Sequence, residues 1–304
     1  MTFEWKGVMP AITTCFDENL QIDHEFTARH VVWLVENGCT GIVANGSLGE
    51  GCTMSLDEKV SLWKTIVASV GDRVPVIAAI ASMTTADAIA QAKASDEAGC
   101  SGLMVLPPYV YRGDWREMKY HVSEIINATP MSCMLYNNPV AYGTDFLPEQ
   151  IAELAGDLPN LHAVKESSTD VRRITAIRAQ TGKRLKIFVG VDDAIVEGIS
   201  AGAVGWIAGL VSAFPKESVD LFNCAMNGET ERARDLYEWF LPLLRLDTVP
   251  KFVQLIKLTQ EKVGWGSPRV RPPRLELAGA ELEQTLAIIN QALETRPRAD
   301  AAGQ

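Results

Sequence analysis

Lys165 follows the short apolar run Leu161-His162-Ala163-Val164 and precedes the polar stretch Glu166-Ser167-Ser168-Thr169-Asp170. An amine at the end of a buried strand, out of bulk water, is a nucleophile able to attack a carbonyl or an imine. The same position also suits a solvated lysine opening a loop. Tyr136 closes the earlier run Met131–Tyr136, and Asn137-Asn138-Pro139 after it would fix a turn. A phenol beside a Schiff-base amine can shuttle protons as the carbinolamine forms and collapses, then act at the carbon alpha to the iminium. The alternative is a core tyrosine with a satisfied hydroxyl. Gly46-Ser47-Leu48-Gly49 offers backbone N–H groups unobstructed by side chains, suited to a carboxylate, and Ser47 adds a hydroxyl that can pass a proton. In Gly190-Val191-Asp192-Asp193, one aspartate reads as a helix N-cap and the other as a partner for a substrate hydroxyl.

The elements that must position these groups alternate short apolar runs with amphipathic segments, the rhythm of βα units. Strands are predicted at Gly7–Thr13, Gly41–Ala44, Val74–Ala81, Gly102–Leu106, Met131–Tyr136, Leu161–Lys165, Leu185–Val189 and Gly205–Ile207. Asp23 to Asn37 and Thr84 to Ala98 read as helices, and Asp114 opens another. Ser55 with Glu58 has the spacing of a capping box. The fold class is therefore α/β, a (β/α)8 TIM barrel closing by about residue 226, and Lys165 and Tyr136 end neighbouring strands at its active-site mouth. Residues 227–304 are expected to form a C-terminal helical bundle on the barrel, with helices at Glu229–Leu244, Lys251–Val263 and Ala280–Leu293 and disorder from Thr295 on. Strand alternation puts Ala163 and Leu161 inward with Lys165 and turns His162 to the helix layer, as a core or second-layer histidine. Lys186 starts its strand at the opposite, stability face.

The 304 residues carry a net charge of −10, which argues against nucleic acid and anionic membrane as partners and leaves a small anionic substrate to be held by local devices. Six scattered cysteines without a C-x-x-C pair suit a reducing, cytoplasmic location. The first residues lack the basic-then-apolar order of a signal peptide. The apolar stretch Gly198 to Phe214 falls short of a membrane span. Four histidines (His24, His30, His121 and His162) show no paired ligand spacing, so no metal is expected. No nucleotide-binding glycine signature stands in a suitable context, and no cofactor is expected.

Taken in order, Gly46-Ser47-Leu48-Gly49-Glu50, Tyr136-Asn137-Asn138-Pro139, Val164-Lys165-Glu166 and Gly190-Val191-Asp192-Asp193 resemble the dihydrodipicolinate synthase / N-acetylneuraminate lyase family, over about Gly7 to Leu293. The resemblance implies a Schiff-base lysine at Lys165 and a proton-transfer tyrosine at Tyr136. It implies a relay hydroxyl at Ser47, and at Tyr109 a second tyrosine of the kind that reaches into a neighbouring subunit's site. Tyr111 is the alternative for that crossing. A homotetramer built as a dimer of dimers follows, with the substrate carboxylate on Ser47 and Leu48. Gly190, Asp192, Asp193 and Ile207 would line the rest of the substrate site.

Two departures narrow the expectation. The synthases place an arginine after the tyrosine motif to hold a second carboxylate, and Ala141 stands there. Its absence removes a charge-assisted contact of about 1.5–3 kcal/mol. Trp206, where sialic acid lyases have a small polar residue, is expected to shorten the pocket. The stretches Tyr136–Gly143, Lys165–Ser168, Gly205–Pro215 and Val270–Arg274 are most similar to 1-pyrroline-4-hydroxy-2-carboxylate deaminases, which act in hydroxyproline breakdown. The expected activity is that deamination, to 2,5-dioxopentanoate. Alternatives are an aldolase or dehydratase of a 2-keto-3-deoxy acid, and a catalytically silent barrel that binds 2-oxo acids.

Overall fold

Strands buried on both faces need no polar alternation, and the short apolar runs of this chain become eight such strands. The computed structural model describes residues 3–297. The first units are β1 (Gly7–Pro10) with α1 (His24–Glu36), β2 (Ile42–Ala44) with α2 (Leu56–Val70), and β3 (Val76–Ile80) with α3 (Thr85–Glu97). Next come β4 (Gly102–Val105) with α4 (Trp115–Asn127), and β5 (Ser132–Asn137) with the single turn α5 (Pro139–Tyr142) and α6 (Pro148–Asp157). They are followed by β6 (Leu161–Glu166) with α7 (Arg172–Thr181), β7 (Lys186–Val189) with α8 (Ile195–Ser200), and β8 (Gly205–Ala208) with α9 (Pro215–Asn227). All strand pairs are parallel, in the order β1-β8-β7-β6-β5-β4-β3-β2. A parallel bridge between Ala11 and Val43 joins β1 to β2 and closes the ring. The fold is the (β/α)8 barrel read from the sequence.

Local signals account for the helix starts. Ser55 and Glu58 form the capping box of α2, and Asp23, Thr84 and Asp114 each accept a backbone N–H as N-caps. Past the barrel, α10 (Thr230–Leu244), α11 (Phe252–Lys262) and α12 (Gly279–Glu294) share one apolar cluster with the outer faces of the strands. Thr295 and Arg296 are tied down, through Thr295 N to Gln291 O (3.1 Å) and Arg296 Nε to Glu217 (2.6 Å). The expected disorder therefore fails for them. Residues 298–304 lie outside the described residues.

Three strand residues, Leu161, His162 and Trp206, take other places than the sequence suggests. Cys133 pairs with Leu161 but Met134 with Ala163, so β6 carries a bulge at His162. The extra residue resets the alternation. Leu161 packs in the outer cluster and not inward with Ala163. His162 is exposed, neither core nor second layer, and its Nδ1 pairs with Ser132 Oγ at 2.7 Å. Trp206 also belongs to the outer cluster, while Ile207 faces the barrel interior. Trp206 thus cannot shorten the pocket, because its strand turns it to the helices.

One buried group in the helix layer sets an acid limit on stability. His30 of α1 is buried with Nε2 2.8 Å from Ser212 O, and burial lowers its pKa from 6.5 to about 4. The unfolded chain then binds the extra proton between those values. Stability is complete above pH 6.5 and falls as the pH drops toward 4. Denaturant titrations of wild type at pH 7 and pH 5 should differ by about 2 kcal/mol more than those of His30→Gln.

Candidate active site

The ladder places the two central side chains. Tyr136 and Lys165 are register partners on β5 and β6, and both point inward at the carboxyl ends of their strands. Lys165 is 6% exposed and its Nζ lies 4.3 Å from the centre of the Tyr136 ring. The lysine stem packs on Gly190 at the end of β7, where a Cβ would lie 2.6 Å from Lys165 Cε. Any side chain at Gly190 would displace the amine. Phe188 is the register partner of Lys165 on β7 and shares the barrel interior with Met134, Ala163 and Ile207.

The turn after β5 is built as its residues suggest. Asn138 Oδ1 accepts from Ala141 N (3.0 Å) to cap α5, and Asn138 Nδ2 donates to the Tyr136 hydroxyl (2.9 Å). Buried Asn137 donates to Glu166 (3.1 Å) and accepts from Phe146 N (3.0 Å), which fixes the following loop. The capped turn delivers Tyr142, a residue the sequence reading passed over. Its hydroxyl hydrogen-bonds to Ser47 Oγ. Its ring lies 5.8 Å from that of Tyr136, edge to face, and 5.7 Å from that of Tyr109. Burial, reinforced by Tyr136 and then Tyr109, holds the Tyr142 phenol well above its ordinary range. Burial also raises Tyr109. Tyr109 thus joins the tyrosine cluster of its own chain. Tyr111 is exposed and donates to Glu117 (2.9 Å).

The loop after β2 is held from outside the barrel. Leu48 is buried at its tip. Glu50, fully buried with φ 55°, forms an ion pair with Lys257 of α11 and accepts from Arg271 N at 3.0 Å. A carboxylate in the left-handed region is uncommon, and these partners hold it there.

The acidic loop after β7 departs from the expected division of labour. Neither aspartate caps a helix through its side chain; Ala194 occupies the cap of α8. Asp192 is fully buried and its Oδ2 accepts from Leu210 N (3.0 Å), while Oδ1 has no partner. Burial raises its carboxyl to about 7, against the opposing pull of the Leu210 N–H and Lys165. Asp193 faces outward, 3.5 Å from Arg245. A third carboxyl, Asp247, arrives from the turn Arg245–Asp247 beyond α10. Burial and the charge of Asp192 push it well above the usual carboxylate range. No local motif marks it. Ser167 Oγ, buried and without a partner, touches the same Gly190 surface as the Lys165 stem.

A closed parallel barrel with a buried lysine and tyrosine paired at its carboxyl-end mouth has the architecture of a class I aldolase-like lyase. The profile of the dihydrodipicolinate synthetase family matches residues 4–292, and the chain belongs to that family. It is 32% identical over 289 residues to a 4-hydroxy-tetrahydrodipicolinate synthase of Caldicellulosiruptor bescii, covering 95% of this chain and 96% of the relative. The corresponding synthase of Desulforamulus reducens is 28% identical, with 95% and 98% covered. The crystal structure of a Bacillus anthracis dihydrodipicolinate synthase superposes with a TM-score of 0.91 at 27% identity, covering 98% of this chain and all of that one. Among the described residues no helix is long and apolar enough to cross a membrane.

Proposed function

We propose that this protein is a Schiff-base deaminase of 1-pyrroline-4-hydroxy-2-carboxylate. The observation that carries the choice within the family is the turn after β5. Where a synthase arginine is expected stands exposed Ala141, and its neighbour Tyr142 turns onto Ser47. Ala141 itself offers no charge for a second carboxylate, and the Arg112 guanidinium in contact with that turn packs on Gly143 two residues further on, while carboxyl groups gather at Asp192 and Asp247. Such a site favours a substrate with one carboxylate and a distal hydroxyl.

In this reading the carboxylate rests on the Ser47–Leu48 loop and the Lys165 amine attacks C2 of the cyclic imine. The C2–N bond of the ring breaks, and the nitrogen, protonated through Tyr136, remains on C5 as an amine. Tyr136 then takes a proton from C3 to give the enamine, which expels the C4 hydroxyl as water. Tautomerisation moves the unsaturation to the C5–N bond. Two waters hydrolyse that imine and the lysine adduct, releasing ammonia and 2,5-dioxopentanoate. Ser47, Tyr142 and Tyr109 relay protons to Tyr136, while Gly190 and Ile207 shape the wall.

Incubation of purified protein with the cyclic imine should release ammonia in step with 2,5-dioxopentanoate. Absence of ammonia rejects the deaminase. Pyruvate release from a linear 2-keto-3-deoxy acid would instead favour an aldolase of the same Schiff-base class, the second reading. Tyr136→Phe, which keeps the ring under Lys165 and removes the proton carrier, should lower kcat about 10²–10⁴-fold in steady-state assays.

We also propose a cytoplasmic homotetramer, assembled from dimers, with residues 1–226 as the catalytic barrel and 227–304 as its helical support. Val110 is 91% exposed and precedes Tyr111, which lines one surface depression with the exposed Met83 and Tyr120. Tyr109 is engaged in its own chain, which leaves Val110 and Tyr111 for a second copy. Oligomers are not universal in the family: a dihydrodipicolinate synthase variant of known structure, 26% identical to this chain, is described as monomeric. Sedimentation of wild type against Val110→Asp should separate the assembled form from a smaller species.

A further inference from the structure

We propose that Asp192 and Asp247 form a carboxyl–carboxylate pair that holds one proton and delivers it to the hydroxyl leaving the substrate. The inference rests on the deaminase reading and names its proton donor.

The two carboxyls come from segments more than fifty residues apart and converge on the adjacent backbone positions Gly209 and Leu210. Asp192 Oδ2 accepts from Leu210 N, and a Cβ built on Gly209 would lie 2.2 Å from Asp247 Oδ1 and 2.8 Å from a methyl of Leu48. Gly209 therefore leaves the space that Asp247 fills, beside the loop expected to grip the substrate carboxylate. Asp192 Oδ1 is buried with no protein partner, and so is Ser167 Oγ next to the Lys165 stem. Buried polar atoms left unmade on the wall of a reaction chamber point to a polar ligand group between them. The other charged groups facing the pair are Lys165 from β6, Asp193 in the same turn, and Arg245, which draws Asp193 outward. No cation binds either carboxyl of the pair directly among the described residues. Two carboxyls brought to adjacent backbone positions, Asp192 fully buried and Asp247 half-buried, share a proton because both cannot ionise cheaply.

The enamine electron pair moves from C2–C3 to C3–C4 while the nitrogen lone pair re-forms the iminium at C2. The C4–O bond breaks with its electrons on oxygen, and the proton of the pair joins that oxygen to give water. The pair is left as two carboxylates facing the new iminium charge on Lys165. A proton from solvent restores it once the adduct is hydrolysed.

The test compares wild type with Asp247→Asn and Asp247→Glu. Asp247→Asn should trap pyruvate on Lys165 under borohydride as fully as wild type does, since pyruvate has no hydroxyl to expel. Its kcat on the cyclic imine should fall at least about 10²-fold. The alkaline limb of kcat should disappear with it, and Asp247→Glu should restore part of both. An Asp247→Asn variant that keeps wild-type kcat and the same limb overturns the proposal. So does one that loses pyruvate trapping in parallel, which marks a structural role. Wild type that releases no ammonia from the cyclic imine removes the deaminase reading itself, and the proposal falls with it.

Discussion

Replacing Lys165 by methionine should cut kcat/KM by at least about 10⁴-fold and leave the fold in place. Methionine nearly matches the lysine stem in length and polarizability, so the packing on Gly190 and over the Tyr136 ring is conserved while the proposed nucleophile is removed. Groups that act as one unit lose most of their effect when the central member goes, which is why the loss should approach the whole covalent contribution. Mass spectrometry after borohydride reduction with pyruvate checks it directly. Wild type should gain the mass of the reduced adduct on the peptide holding Lys165, and the variant should gain none. Lys186→Met is the control, because that amine lies at the far end of β7, 3.8 Å from Glu4. Undiminished turnover by Lys165→Met would refute the mechanism.

The second large effect is on stability. Lys257 and Glu50 are 1% and 0% exposed and form an ion pair inside the protein. Burial pulls the lysine down from its ordinary pKa, while Glu50 and the Arg269 carbonyl hold the ammonium by hydrogen bonds. Lys257→Met leaves the Glu50 carboxylate with the Arg271 N–H and Arg274 at 4.0 Å. Removing one partner of a buried pair costs about 3–5 kcal/mol, because the desolvated charge stays behind. Chemical denaturation should register that loss. Adding Glu50→Gln, which keeps an acceptor for Arg271 without the charge, should recover about half of it. Because Glu50 ends the loop of Ser47 and Leu48, the single variant should also raise KM for the proposed cyclic imine more than it lowers kcat. A single variant as stable as wild type would mean the pair contributes nothing net.

The barrel was legible because each strand is a short apolar run bounded by turn residues, and because caps such as Ser55–Glu58 mark the helix starts locally. The pairing of Lys165 with Tyr136 followed from two adjacent strand ends. What stayed hidden depended on interruptions and on distance. Counting faces back from Lys165 fails at His162, since a one-residue bulge leaves no trace in hydrophobicity. Trp206 was read by size at a motif position, whereas its face is set by which neighbour on β8 points inward. Tyr142 ends a turn that the sequence marks only through Asn137-Asn138-Pro139, and nothing in those residues says where its last side chain lands. Asp247 lies in an irregular turn beyond α10, and only the folded chain brings it to Gly209.

Tyr136 and Lys165 occupy the same rung of the barrel, so their separation is dictated by backbone spacing common to every parallel sheet. The rim is independent of that rung. Ile207 and Asp247 come from two unrelated segments, β8 and the turn beyond α10. A library randomised at those two positions should therefore yield variants that differ in the molecules they consume while still capturing pyruvate on Lys165, as borohydride reduction and mass spectrometry would read.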